Sequence, residues 1–295
     1  MDTITHGLFG FFLALLVAKE FGFEKLRWPV VAGIIAAIAP DVDGLALLFN
    51  ESGFYTYHRV AAHSFIGAIL IALIIAVLFS RLKKDFIKYL PLALLGVLLH
   101  LLLDFVTPAG GVQLFYPFST ARIALSIMPA PDVYLLAILA AGFVVFRLEP
   151  TKHIKVAGYV LLFCALFMGA RFALASYAGQ QVNEMNGESF LLPHMFNPFK
   201  WTVVKPDTGY YYISEYSVFG GMNPPVSLAI HDGPMIEASK KAKTVSSFLS
   251  FARFPHAAAD GNVVEWYDIS EGYGTFTATV TLDENLNILS EEMGL

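Results

Sequence analysis

Six apolar segments crowd the first 176 residues of this chain, near 7–18, 30–49, 61–79, 89–106, 132–146 and 156–176. Several approach the roughly 20 residues needed to cross the hydrocarbon core of a bilayer, where backbone groups must pair within the segment itself. They restrict this part of the chain to a bundle of helices. Three stretches place ionisable side chains inside or just beside them: Pro40-Asp41-Val42-Asp43, His58-Arg59…His63-Ser64 and His100…Asp104. A carboxylate at mid-membrane costs about 2.5–3.5 kcal/mol on insertion scales, so it is rarely incidental. Asp and His together form a ligand set for a divalent metal ion.

Only 15% of the residues are charged and 56% are hydrophobic, where a soluble domain carries about 25% charged residues. The charge is unevenly spread. Residues 1–176 hold 13 Lys/Arg against 10 Asp/Glu, whereas residues 177–295 hold 6 against 14 and contain no apolar run that spans a bilayer. This predicts a multi-pass α-helical membrane domain over 1–176, with about six spans, followed by a soluble acidic domain over 177–295. The acidic tail has no basic stripe to meet phosphates, which excludes nucleic acid as a partner. A single cysteine, Cys164, excludes an intrachain disulfide. The N-terminus, Met-Asp-Thr-Ile-Thr-His, lacks the positive region of a conventional signal peptide.

Basic residues sort the loops. Lys19, Lys25 and Arg27, then Arg81, Lys83, Lys84 and Lys88, then Arg147, Lys152 and Lys155 mark three loops as cytoplasmic, whereas Arg59 and Arg122 are the lone basic residues of the 50–60 and 107–131 loops. With six spans, the N-terminus, the soluble tail and every candidate ligand then fall on the extracytoplasmic side of an inner membrane. The second span is broken by Pro40, and irregular backbone at membrane depth is tolerated where it is covered by protein or lines a wet cavity.

His100 and Asp104 stand at i, i+4 on one helical face, and Asp2 and His6 repeat that spacing. Asp2 also reads as an ordinary helix-start residue. Asp41 and Asp43 lie in a segment that Pro40 and Gly44 turn or distort, and two buried carboxylates need a counterion, whether a metal or Arg59. His58 and His63 straddle the entry to the third span, and His58 also reads as a surface histidine.

The order Thr5-His6, Pro40-Asp41-Val42-Asp43, His58-Arg59…His63-Ser64, His100-Leu-Leu-Leu-Asp104, Thr107-Pro108…Gly111 and Tyr116-Pro117-Phe118-Ser119 resembles the YdjM-like (DUF457) family of membrane-bound metal-dependent hydrolases. The resemblance covers about residues 1–125. Its hydrolase label rests on a zinc-phospholipase-like ligand pattern and brings a reaction class without a substrate. It implies His6, Asp41, His63, His100 and Asp104 as metal ligands, with Asp43 and His58 close behind. Members often carry Gly after the His-Arg pair and Thr before the second His; Val60-Ala61-Ala62 stand there instead, which leaves the role of His58 open.

Imidazole and carboxylate without thiolate suit Zn, Mn or Fe, zinc first. The seven candidates, His6, Asp41, Asp43, His58, His63, His100 and Asp104, exceed the ligands of one catalytic zinc, so two or more ions are expected. Asp43 is read as a bridging ligand or proton acceptor and Arg59 as an anion clamp, or else as a side chain snorkelling to the headgroups. The expected reaction is hydrolysis of a phosphoester or ester of an amphiphilic or lipid substrate. Metal transport is a second reading, and a metal-stabilised anchor for an interaction domain is a third.

In the tail, segments 201–204, 210–214, 263–268 and 276–282 predict strands, 283–287 a hairpin turn and 238–251 one helix, for an α+β or mainly β fold. Lys240, Lys241 and Lys243 read as a solvated face. His194, His231 and His256 lack metal spacing and are left outside the site.

Overall fold

The computed structural model describes residues 1–48, 57–83, 85–108, 110–230, 232–270 and 277–294, without the side chains of Asp43, Lys83 and 45–48. The chain divides into two compact units. The first comprises Met1–Asp43, Arg59–Ser176 and Pro193–Pro198; the second comprises Gly44–His58, Tyr177–Leu192 and Phe199–Leu295.

Helices build the first unit: α1 (Thr3–Val17), α2 (Arg27–Ile38), α3 (Phe65–Lys83), α4 (Phe86–Phe105), α5 (Val133–Leu148) and α6 (His153–Asn186), of which residues 177–186 belong to the second. Among the described residues, three helical stretches are long and apolar enough to cross a membrane: Phe65–Leu82, Phe86–Phe105 and Pro150–Asn186. Thr3–Val17 and Val133–Leu148 are apolar but shorter. Of the six spans expected, three are thus long enough among the described residues, and the other three are not shown. The segment around Pro40 accounts for one shortfall: α2 ends at Ile38 and the chain continues as a 3-10 helix over Ala39–Leu48. Proline cannot donate to the ladder and clashes with the preceding turn, so the apolar run splits there. Asp41 lies at the start of the tighter stretch.

α2 packs against both α1 and α4 through small side chains. Ala32, Ala36 and Ala37 of α2 are fully buried, and a Cβ added at Gly96 of α4 would lie 2.7 Å from the Ala36 Cβ. Small residues at such crossings let helix backbones approach closely where lipid offers no hydrophobic drive to association. Here the approach has a chemical consequence, because it brings the carbonyl of Ala37 to α4.

The second unit is built on antiparallel sheets. β1 (Phe190–Pro193), β2 (Lys200–Asp207), β3 (Tyr210–Ser217) and β4 (Gly221–Met222) follow in order, with β5 (Val226–Ala229) also pairing with β3. The second sheet runs β6 (Pro255–Asp260), β7 (Val263–Asp268), β8 (Thr277–Leu282) and β9 (Ile288–Gly294). α7 (Pro234–Ser239) and α8 (Lys243–Phe251) join Val264, Ala278, Val280 and Leu282 in one apolar core through Ile236, Val245, Phe248 and Phe251. β8 buries Ala278, Val280 and Leu282 in strict alternation, the period of a half-covered sheet. The single helix expected over 238–251 is two helices, with Lys240–Ala242 turning between them as Ala242 N donates to Ser239 O at 2.9 Å. The strands expected at 201–204, 210–214 and 263–268 lie within β2, β3 and β7, and the hairpin at 283–287 joins β8 to β9.

Candidate metal centre

Local structure sets each ligand in place before any ion is considered. Ser64 accepts a hydrogen bond from Gly67 N at 3.0 Å and donates to Ala61 O at 2.9 Å, fixing the turn that enters α3. This is the capping pattern of a serine before a helix, and it holds the preceding His63 at the helix mouth. His100 and Asp104 project from one face of the last turns of α4, where the hydroxyl of Thr107 donates to Asp104 O at 2.9 Å. Asp2 caps α1, accepting from Thr5 N at 2.9 Å and Thr5 Oγ1 at 2.6 Å, so its helix-start reading is the one realised.

Asp41, His63, His100 and Asp104 converge, each offering one ligand atom within 4.8 Å of the others. His63 Nε2 lies 3.1 Å from His100 Nε2, 3.5 Å from Asp41 Oδ1 and 3.3 Å from Asp104 Oδ2. His100 Nε2 is 3.5 Å from both Asp41 Oδ1 and Asp104 Oδ2. Donor atoms about 2.0–2.1 Å from a tetrahedral zinc are separated by about 3.3–3.4 Å, which these values bracket.

The donor chemistry passes the same test. His100 Nδ1 donates to Ala37 O at 2.7 Å. A carbonyl only accepts, so in the neutral ring this bond leaves a lone pair on Nε2, facing two carboxylate oxygens and a second imidazole. One proton on His63 Nε2 satisfies a single pair among these acceptors, whereas a divalent cation satisfies all of them. Asp104 Oδ2 is buried and accepts no hydrogen bond. His63, His100 and Asp104 side chains are at most 1% exposed, while Asp41 is 24% exposed and forms the open edge. The cluster can hold a metal ion.

The other expected residues take different places. His6 stacks on His100, with ring centroids 3.9 Å apart and planes at 20°, and its Nε2 is 3.3 Å from Asp104 Oδ1. It meets the carboxylate oxygen that faces away from the four-atom group, the same oxygen that pairs with the Met1 ammonium. That is the position of an outer partner orienting a ligand. Arg59 is 5% exposed, adopts φ +60°, and places Nε 3.4 Å from Asp104 Oδ2. A non-glycine residue held at positive φ is costly and clusters at functional sites. His58 belongs to the second unit, its ring 6.5 Å from that of Phe251. The Asp43 side chain lies outside the described residues, as does His231. His194 Nδ1 accepts from Phe196 N at 3.1 Å and His256 Nε2 donates to Ala229 O at 2.8 Å, both structural roles.

Sequence reasoning missed Ala37, whose backbone oxygen sets the tautomer of His100. The signal was present as Gly33…Ala37, a small-residue pair at i, i+4 on a membrane helix.

A helical unit with a buried histidine–aspartate cluster, joined to an antiparallel α/β unit, defines the class: a membrane protein whose helical part carries a cluster able to bind a metal ion. The model of the YdjM inner membrane protein family matches residues 1–177, and the chain belongs to that family. Residues 234–295 match the YfhP C-terminal alpha/beta plait domain. Over its whole length the chain is 22% identical to the uncharacterized protein YfhP of Bacillus subtilis (strain 168), covering 95% of that relative. No solved structure matches.

Proposed function

We propose that the chain is a membrane-embedded, metal-dependent hydrolase acting on a phosphoester or ester of an amphiphilic substrate. The observation that carries this reading is the inward lone pair of His100, locked by Ala37, facing His63, Asp41 and Asp104. Zinc suits this donor set best, with manganese or iron as alternatives. A bound divalent ion supplies a water that ionises near neutral pH. The chain's own groups do the rest. His6 and Ala37 orient ligands, and Arg59 meets an anionic substrate beside Asp104. Asp41, the exposed member, marks the side from which substrate arrives. The loop charges favour an extracytoplasmic centre, which suits a substrate drawn from the outer leaflet.

A specific observation favours a second reading. Four protein ligands close a tetrahedron, which is the mark of a structural site. A metal-stabilised anchor for the C-terminal domain would look the same in these four residues. The experiment is a hydrolysis screen of phosphoesters and lipid esters with metal-loaded protein, comparing wild type with Arg59→Gln. Turnover that falls with Arg59→Gln at unchanged metal content supports the hydrolase. Stoichiometric metal, no turnover and an insensitive Arg59 would leave the anchor reading.

A further inference from the structure

Arg122 has no part in the site described so far, yet its backbone is tied to it. Val112 and Ile123 form an isolated antiparallel bridge, with N–O distances of 3.0 Å in both directions. On the neighbouring residue, Gln113 N donates to Arg59 O at 3.1 Å. The segment 111–113 therefore binds the backbone of Arg59 and the strand carrying Arg122 into one small ladder. Gly111, at φ +66°, allows this closure, since a Cβ there would lie 3.2 Å from the backbone of Arg122 and from Ile123 N. The Arg122 side chain folds back, Nη1 donating to Gly111 O at 3.4 Å.

Arg59 and Arg122 are thus held in one ladder, with Arg59 Nε 3.4 Å from Asp104 Oδ2. They lie within electrostatic reach: burial, and then the positive charge of Arg59, push Arg122 down to about 10. It stays a cation at neutral pH. Holding like charges together in a partly buried place is unfavourable, and an anion between them relieves the repulsion. Guanidinium forks match phosphate oxygens in pairs.

We propose that Arg122 joins Arg59 in a two-guanidinium clamp for the phosphate group of a phosphomonoester presented to the histidine–aspartate cluster. This rests on the hydrolase reading and narrows its substrate class from esters in general to phosphomonoesters. Arg122 is a substrate-binding residue in this scheme and takes no proton.

The test uses the full chain in phosphatidylcholine nanodiscs, loaded with zinc and titrated with inorganic phosphate. Arg122→Gln should weaken phosphate binding by about ten- to a hundredfold, the worth of a charge-assisted contact, at unchanged zinc content. Wild-type affinity in that variant overturns the clamp. Should Arg122→Gln fail to fold, Arg122→Lys keeps the charge and loses the fork, and its expected weakening is about tenfold; undiminished binding there overturns the clamp as well. The two readings fail separately. A wild type that holds zinc and binds no phosphate at millimolar concentrations overturns the clamp alone. Arg122-dependent phosphate binding in a wild type that holds no zinc sustains the clamp and removes the hydrolase. Nanodiscs containing phosphatidic acid identify the source: competition with inorganic phosphate points to a lipid headgroup, and its absence to a soluble phosphomonoester, the clamp standing in either case.

Discussion

Two buried polar clusters, one in each unit, are arranged in opposite ways. In the second unit, Asp268 is 1% exposed and accepts from Arg253 N at 2.5 Å, Phe254 N at 3.1 Å, and Ser270 N and Oγ at 2.8 Å each. Trp266 Nε1 donates to Ser239 Oγ at 3.0 Å, and that hydroxyl donates to Ile236 O at 2.8 Å. Donors meet acceptors, and the result is architecture. In the first unit's histidine–aspartate cluster the same degree of burial sets acceptors beside acceptors. His100 turns a lone pair toward Asp104 Oδ2 and Asp41 Oδ1, with His63 Nε2 beside them, an arrangement that a divalent cation would reconcile. Complementary burial fixes a fold, and like-with-like burial builds a site.

The sharpest way to break this contrast is to remove the convergent groups. His100→Ala/Asp104→Ala should abolish stoichiometric metal in elemental analysis of detergent-purified protein, after reloading without chelator. Retention of wild-type metal would mean that the acceptors are arranged for some other purpose. The matching change in the second unit, Asp268→Ala, should leave metal untouched and destabilise that unit by about 2–4 kcal/mol in denaturant unfolding, because four donors lose one acceptor. A metal loss on Asp268→Ala would erase the distinction between the units.

The contrast also explains what the sequence could disclose. His6, Asp41, His63, His100 and Asp104 were legible because each is an ionisable residue in or beside an apolar run, a costly placement that stands out in one dimension. Their division into four inward donors and one outer partner was not legible, since it depends on which oxygen of Asp104 each neighbour meets. Strands β2, β3, β7 and β8 were readable from β-branched and aromatic content, and Asp283-Glu-Asn-Leu-Asn287 from turn chemistry. The break at Lys240–Ala242 was hidden, as no glycine or proline marks it. The extent of the helices was only partly readable: the apolar run before Pro40 contributes a twelve-residue helix, because hydropathy does not register where a backbone ladder stops.

A smaller effect tests whether packing, as well as ligand identity, makes the site. Gly96→Leu leaves all four donors in place but forces α4 away from Ala36 of α2, parting His100 Nδ1 from Ala37 O. Loss of an outer contact of this kind costs about 10–100-fold in metal affinity. The zinc affinity of the variant, measured by competition with a chelator, should fall within that range. Unchanged affinity would show that the Ala37 contact does not set the tautomer of His100.

The smallest effect separates the units by their response to acid. Asp283, in the β8–β9 turn, accepts from Asn285 N and Asn287 N at 2.8 Å and from Asn287 Nδ2 at 2.9 Å. The Asn287 side chain, and then its backbone N–H, hold the Asp283 carboxyl below its ordinary value. A carboxylate depressed in the folded state contributes stability above its unfolded pKa, about 3.9, and loses it as pH falls through the folded value. The turn should therefore weaken slightly below about pH 4, and Asp283→Asn should remove that slope. Protons also compete with metal for imidazole lone pairs, and that competition yields to added metal. Unfolding of the full chain followed against pH, with and without excess zinc, resolves the two. A zinc-sensitive response below pH 4 that survives Asp283→Asn would place even this acid effect at the metal centre.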